Sequence, residues 1–146
     1  MLKIWFSIMI ALTVFILGCK DSEIIIDNST QAMLEEQFSL NFEKTAIVSP
    51  VDIKVKFVKV TEDSRCPSDV VCIWAGQVSV LINVNDNGKD LGDIKLTLGA
   101  NKDDAVKDIG EYYLKLIVVK PYPISTKRIE PSEYIATLVV STSMDN

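Results

Sequence analysis

The chain has 146 residues, of which 48% are hydrophobic, and a formal net charge of −5. This length and hydrophobic content are sufficient for one domain with a buried core, while the acidic balance argues against nucleic-acid binding, which needs a basic surface. The sequence contains no histidine, which excludes Ser-His-Asp and Cys-His catalysis and histidine-based zinc sites. We therefore expect neither a metal nor another cofactor.

Residues 1–18 have the layout of a secretory signal peptide. Lys3 supplies an early positive charge, residues 4–17 are almost wholly apolar, and Gly18 is a small residue at the expected cut. An apolar stretch of 14 residues is shorter than the roughly 20 residues that a transmembrane helix needs. We interpret residues 1–18 as a signal that is cleaved off, with an uncleaved membrane anchor as the alternative.

Cys19 directly follows this signal. The segment Ile16-Leu17-Gly18-Cys19 resembles the lipobox of bacterial lipoproteins, although that family usually has a smaller residue where Leu17 stands. The resemblance implies that the thiol of Cys19 receives a diacylglyceryl group, that cleavage occurs before it, and that fatty acids such as palmitate anchor the protein. The lipid bilayer is then a partner, and the predicted location is the bacterial cell envelope.

Residues 19–36 are predicted to be the lipidated tether. Lys20-Asp21-Ser22-Glu23 resembles a signal by which some Gram-negative bacteria export lipoproteins to the cell surface, and a solvated linker fits this segment equally well. Periplasm-facing and surface-facing locations therefore both stay open. Removal of residues 1–18 takes away Lys3 and lowers the formal charge from −5 to −6.

From Gln37 onward, apolar and polar residues alternate with the period of a β-strand. Val58 and Val60 fall out of phase, which predicts a bulge or burial of both faces. Residues 85–88 indicate a turn, and residues 100–110 are predicted to contain one helical turn. Pro121 marks the end of a strand, because proline cannot donate a hydrogen bond to a sheet. The alternation predicts strands with one apolar face at residues 38–42, 53–57, 72–84, 94–98 and 134–140. Residues 113–119 are almost continuously apolar, which predicts a central strand with both faces buried.

This pattern predicts an all-β fold, with a single domain over residues 37–146. The architecture is an antiparallel, Greek-key-like β-sandwich of the immunoglobulin type or a small barrel. Glu130-Pro131-Ser132-Glu133-Tyr134 is similar to the tyrosine corner of Greek-key sandwiches, in which the tyrosine hydroxyl bonds to nearby backbone.

Cys66 and Cys72 remain as a pair if Cys19 carries lipid, and an exported protein meets an oxidising compartment. Their C-x5-C spacing differs from the C-x-x-C of redox-active pairs, and a metal site would lack its third and fourth ligands. We interpret the pair as a structural disulfide, with free thiols or a chemical role as the alternatives.

Residues 63–76 read DSRCPSDVVCIWAG and resemble a family of small bacterial lipoproteins and secreted proteins with the pattern D-S-R-C-P-x-x-V-x-C-x-W-A-G. The resemblance implies a β-rich domain with a disulfide and implies no reaction. On the predicted strand, Cys72, Trp74 and Gly76 share one face. The indole would then cover the disulfide, and Gly76 would leave room for the ring or for a crossing strand.

Two residues are candidates for binding. Arg65, next to Asp63 and near Asp69 in the sequence, suits an anion or a partner's carboxylate, and the alternative is a local ion pair that braces the loop. Tyr122 lies between two prolines and suits contact with a sugar or peptide, and the alternative is a plug at one end of the sandwich.

The predicted function is that of a membrane-anchored envelope lipoprotein that acts without catalysis, as a binding or assembly module for an envelope protein or glycan. One alternative is a glycan or cell-wall hydrolase with paired carboxylates, such as Asp103-Asp104 or Glu35-Glu36. The other is a periplasmic inhibitor or chaperone-like protein.

Overall fold

Two β-sheets pack face to face in the computed structural model, which describes residues 29–144. Two short 3₁₀ helices, Lys102–Ala105 and Pro131–Glu133, lie in the connections. The nine strands within residues 29–144 are β1 (Thr30–Met33), β2 (Phe38–Asn41), β3 (Thr45–Ser49), β4 (Ile53–Asp63), β5 (Val78–Asp86), β6 (Lys89–Leu98), β7 (Val106–Asp108), β8 (Tyr113–Lys120) and β9 (Ile135–Ser141).

The first sheet has the order β1-β3-β4-β5-β6, and the second has the order β2-β9-β8-β7. Within these sheets the β1–β3 pair is parallel and the other pairs are antiparallel. The two sheets do not close on each other, so the all-β sandwich is confirmed and the barrel alternative is not what the chain adopts. The strand order, a meander from β3 to β6 with β1 beside β3, is information that the sequence pattern did not supply.

The alternation of β4 shows how the sequence dictates the core. Ile53, Val55 and Phe57 are fully buried between the sheets, while Lys54 and Lys56 point to solvent. The pairing with β5 shifts register after Phe57 and again after Val60, which confirms the predicted bulge. Because a strand has a period of two, each bulge changes which residues face the core.

Three features of the fold differ from the sequence prediction or add to it. Residues 30–33, assigned to the tether, form an edge strand of the first sheet, and only Ala32 of this strand is buried. One buried residue produces no recognisable period, so β1 is held mainly by its backbone pairing with β3. Strand β3 was also missed, and β5 begins at Val78 rather than at Cys72.

The predicted signal peptide, Cys19 and the tether as far as residue 28 lie outside the described residues. Within residues 29–144, no helix is long and apolar enough to cross a membrane. The predicted turn is present as the β5–β6 hairpin, in which Asn87 and Gly88 both have positive φ angles, 48° and 87°. Two such residues in succession are typical of a two-residue hairpin turn.

Candidate functional site

The most distinctive part of the molecule is the connection between β4 and β5, residues 64–77, which we call the disulfide loop. Cys66 and Cys72 are bonded in it, with their Cα atoms 5.9 Å apart, so the predicted disulfide is confirmed. The connection between β8 and β9, residues 121–134, lies beside it at the same end of the sandwich; we call it the β8–β9 loop.

Backbone and side-chain hydrogen bonds join these two loops. The Ser68 amide donates to the Pro123 carbonyl at 2.9 Å, and the Ser125 amide and hydroxyl donate to the two carboxylate oxygens of Asp69 at 2.8 and 2.5 Å. The hydrogen bonds from Ser125 hold the pKa of the Asp69 carboxyl below its ordinary value. Asp69 therefore fixes one loop to the other and makes no ion pair with Arg65.

Arg65 is buried beneath the two loops, with 9% of its surface exposed. Its Nε and Nη2 atoms donate to the two oxygens of Asp63 at 2.8 and 2.6 Å, a bidentate ion pair. Nη1 donates to the Val119 carbonyl at 2.5 Å and Nη2 to the Pro121 carbonyl at 3.0 Å. The guanidinium thus ties the disulfide loop of the first sheet to the end of β8 in the second sheet.

Aromatic side chains complete the surroundings of this ion pair. The guanidinium carbon of Arg65 lies 4.8 Å from the centre of the Tyr122 ring, within the range of a cation–π interaction. The Tyr134 hydroxyl donates to Asp63 Oδ2 at 3.1 Å. The hydrogen bond of a tyrosine corner is therefore not the one that Tyr134 makes. Its hydroxyl bonds to a carboxylate on the other sheet rather than to nearby backbone.

The electrostatics of this cluster favour a charged Asp63 and a neutral Tyr134. Burial opposes ionisation of Asp63, but the hydrogen bonds and positive charge of Arg65 outweigh it and lower the pKa of Asp63 below its ordinary value. Burial, with the adjacent charge of Asp63, raises the pKa of Tyr134 to about 12. Neither group is placed to exchange protons near neutral pH.

The raised pKa of Tyr134 predicts that the folded protein loses stability at alkaline pH. An acid whose pKa is raised from 10.0 in the unfolded chain to about 12 in the folded protein stabilises the fold below pH 10, and this contribution disappears as the pH rises from 10 through 12. Urea unfolding over that interval should therefore give a steeper fall in the free energy of unfolding for wild type than for Tyr134→Phe. Tyr113→Phe is the matched control, and equal slopes for wild type and Tyr134→Phe would contradict the expectation.

Gly76 allows the two ends of the disulfide loop to come together. Its φ angle is +68°, and a Cβ atom there would overlap the Ser64 carbonyl oxygen and lie 2.8 Å from the Cα of Arg65. The Ser64 amide donates to the Gln77 carbonyl at 2.8 Å across this closure. The glycine thus makes room for the backbone that presents Arg65, and not for the Trp74 ring as the strand prediction implied.

The outer part of the disulfide loop exposes apolar side chains. Val71 and Ile73 are fully exposed and Trp74 is 63% exposed; we call these three residues the apolar tip. The prediction that Cys72, Trp74 and Gly76 share a strand face is wrong, because the chain between Cys66 and Gln77 is irregular. No β-ladder fixes the alternation there, and the side chains of Val71, Ile73 and Trp74 face solvent.

The exposure of Trp74 predicts that it contributes little to stability. Trp74→Ala should change the free energy of unfolding by at most about 0.5 kcal/mol, as is usual for surface substitutions. Thermal melting of the purified protein measures this, with Phe57→Ala as the control that removes a fully buried ring and costs roughly 3–5 kcal/mol. A large loss for Trp74→Ala would show that the indole packs on the disulfide after all.

Two cavities open on either side of Arg65. One, of about 250 Å³, is lined mainly by apolar residues at the open end of the sandwich, including Val78, Leu98 and Tyr122. The other, a groove of about 480 Å³, includes Asp63, Arg128 and Tyr134 in its lining. Tyr122 is 53% exposed and its ring faces Arg65, so the structure brings together both binding candidates that the sequence indicated.

The other polar candidates are separate from this cluster. Asp104 accepts a hydrogen bond from the Asn101 side chain at 3.1 Å, and Glu35 accepts from the amide and hydroxyl of Thr142 at 2.7 and 2.8 Å. Among residues 29–144 no group of three or more Cys, Asp or Glu side chains is placed to hold a metal ion. Neither carboxylate pair is thus part of the loop cluster.

No known protein family, curated protein or solved structure gives a significant match to the chain. The resemblance of residues 63–76 to a family of bacterial lipoproteins therefore stays a prediction. Sequence reasoning singled out Arg65, Tyr122 and the two cysteines but missed the exposure of the apolar tip. One signal for it was the run Val70–Asn85, sixteen residues without a charge, of which the first eight precede β5.

Proposed function

We propose that the protein is a lipid-anchored module of the bacterial cell envelope that acts by binding rather than by catalysis. Its contact surface is the apolar tip, held by the disulfide loop. The disulfide supports an extracytoplasmic location, because such bonds persist in oxidising compartments and are rare in the cytosol. The lipobox-like segment that ends in Cys19 supports the anchor, since two or three acyl chains together hold a protein durably at a membrane where one chain does not.

The observation that carries the proposal is the contrast between the outer and the inner part of the disulfide loop. The inner part is saturated: Arg65 uses Nε, Nη1 and Nη2 in hydrogen bonds, and both oxygens of Asp63 are occupied. The outer part presents Val71, inside the disulfide ring, and Ile73, directly after it, to solvent. Apolar side chains in contact with water gain free energy when a partner covers them, because that removes apolar surface from water.

The arrangement of acids favours binding over hydrolysis. A general acid needs a carboxyl with a raised pKa, whereas the pKa values of Asp63, Asp69 and Glu133 are lowered. The salt bridge from Lys127 at 2.5 Å is one cause of the shift at Glu133. An inhibitor or chaperone-like protein would use the same apolar tip and differs from our proposal only in the identity of its partner.

The anchor is tested by metabolic labelling with radioactive palmitate. The wild-type protein should be labelled and should sediment with membranes, while Cys19→Ser should be unlabelled and should leave the membrane fraction. Cys66→Ser is the matched control, because it changes a cysteine to serine without touching the predicted lipidation site. An unlabelled wild-type protein, or one recovered from the cytosol, would refute the proposal.

A further inference from the structure

The apolar tip is small and uncharged. Residues 70–77 carry no charge, and Asp69, the nearest acid, is bonded to Ser125 in the neighbouring loop. We propose that the apolar tip inserts into the interfacial layer of the same bilayer that holds the acylated Cys19, so that the domain is attached at two points. This inference rests on the proposed function, since it needs the lipid anchor.

The residue types of the tip suit a membrane–water interface. Val71 and Ile73 are aliphatic side chains in full contact with water, and their transfer to an acyl environment removes apolar surface from water. Tryptophan is enriched at the headgroup level of bilayers, and Trp74 follows Ile73 directly. Because residues 70–77 carry no charge, insertion of the tip also avoids the cost of moving a charged side chain out of water.

The direction of β1 places the anchor on the same side as the apolar tip. Thr30 lies beside Ala46 of β3, and Ala46 pairs with Val55 of β4. From Val55, β4 continues for eight residues to Asp63 at the disulfide loop, a distance of about 26 Å. Since β1 is parallel to β3 and β3 is antiparallel to β4, the chain arrives at Thr30 from the side of the disulfide loop.

The length of the connecting chain is sufficient for both attachments. Eleven residue steps separate Cys19 from Thr30, and a fully extended chain of that length spans at most roughly 36–40 Å. This exceeds the distance from Thr30 to the level of the disulfide loop. Cys19 and the apolar tip can therefore reach one membrane surface at the same time.

The size of the tip favours a bilayer over a protein partner. A stable protein–protein interface buries about 800 Å² on each partner, whereas the apolar tip consists of three side chains. A contact that is weak by itself becomes effective when a second attachment holds it at a high local concentration. The acylated Cys19 supplies that attachment, and the formal charge of −6 after cleavage favours a neutral lipid surface.

Tryptophan fluorescence of the lipidated protein tests the inference. The chain has two tryptophans, Trp5 and Trp74, so Trp5→Phe makes Trp74 the sole fluorophore whether or not the signal is removed. We would reconstitute this variant into phosphatidylcholine vesicles with brominated acyl chains. The expected result is a blue-shifted Trp74 emission that the brominated lipids quench and that dissolved iodide quenches less than in the unlipidated Cys19→Ser protein.

Two variants in this background sharpen the test. Val71→Asp with Ile73→Asp should restore water-like emission and iodide quenching while the protein still sediments with the vesicles. Met144→Asp, at an exposed apolar residue outside both loops, should behave as the Trp5→Phe parent. If the parent sediments with the vesicles but its Trp74 emission is water-like and unquenched by bromine, the inference is overturned and the anchor stands.

Other outcomes also decide the question. Protection of Trp74 from iodide only after addition of envelope extract would assign the apolar tip to a protein partner and overturn the inference. A protein that carries no acyl chain refutes the proposed function and this inference together. Salt-independent quenching by bromine in neutral vesicles is the supporting result, because it identifies an apolar rather than an electrostatic contact.

Discussion

Arg65→Ala should lower the free energy of unfolding by about 3–5 kcal/mol, the usual cost of removing one partner from a buried ion pair. The Arg65 and Asp63 side chains are 7% and 9% exposed, so the ion pair lies mostly out of water and its loss leaves the Asp63 charge without its main partner. The carbonyls of Val119 and Pro121 also lose their donor. Chemical denaturation at neutral pH, where Asp63 is ionised, measures the loss directly.

Arg128→Ala is the matched control for this experiment. The chain has two arginines, and Arg128 is exposed on the β8–β9 loop, so its removal should change stability by at most about 0.5 kcal/mol. Arg65→Lys should recover only part of the loss, since a lysine cannot form the bidentate pair with Asp63. Equal effects of Arg65→Ala and Arg128→Ala would contradict the structural role of Arg65.

Removal of the disulfide should have the second largest effect. A bond that closes a ring of seven residues, Cys66 to Cys72, restricts the unfolded chain by about 2.4 kcal/mol in the chain-entropy model. The double variant Cys66→Ala, Cys72→Ala should therefore melt roughly 10 °C below wild type. We expect export to be intact, because the predicted signal peptide and Cys19 are unchanged.

Reduction provides an internal check on the disulfide prediction. Dithiothreitol should lower the melting temperature of wild type toward that of the double variant and leave the double variant unchanged. A melting temperature of the double variant equal to that of wild type would mean that the bond contributes nothing to stability. Iodide quenching of Trp74 in the double variant should also change, since the ring sets the direction of the apolar tip.

The fold was predictable along most strands with one buried face, although β3, in which Ala46 and Val48 are buried, was missed. Along β2 and the first half of β4 the buried residues repeat every second position, and that period is visible in the sequence. β1 and β7 were missed because they are short edge strands with at most one buried residue each. Backbone pairing holds such strands, and backbone pairing leaves no pattern in the side chains.

The candidate site was only partly predictable for a related reason. The motif at residues 63–76 identified Arg65 and the cysteines, and the proximity of Asp63 in sequence indicated the ion pair. The partners of Arg65 at Val119 and Pro121, and the hydroxyl of Tyr134, lie more than fifty residues away. Only the packing of the two sheets brings them together, and no local rule of spacing encodes that packing.

The period of two, which identified most of the strands, gave a wrong prediction at the apolar tip. Alternation from Cys72 to Val84 predicted one continuous strand, yet β5 pairs with β4 only from Val78, opposite Asp63. Before that point β4 has ended, so the chain has no neighbour with which to pair. The period of two continues in the sequence without a sheet to support it, and the apolar residues there face solvent.

The position of Arg65 has a mechanical consequence. A pull on the disulfide loop reaches β4 and β5 through the chain itself, and it reaches the end of β8 through the guanidinium and the carbonyls of Val119 and Pro121. Tension applied at this end of the domain is thus distributed over both layers instead of peeling a single hairpin away. A globule exposed to shear at a cell surface would be expected to resist extension best along this direction.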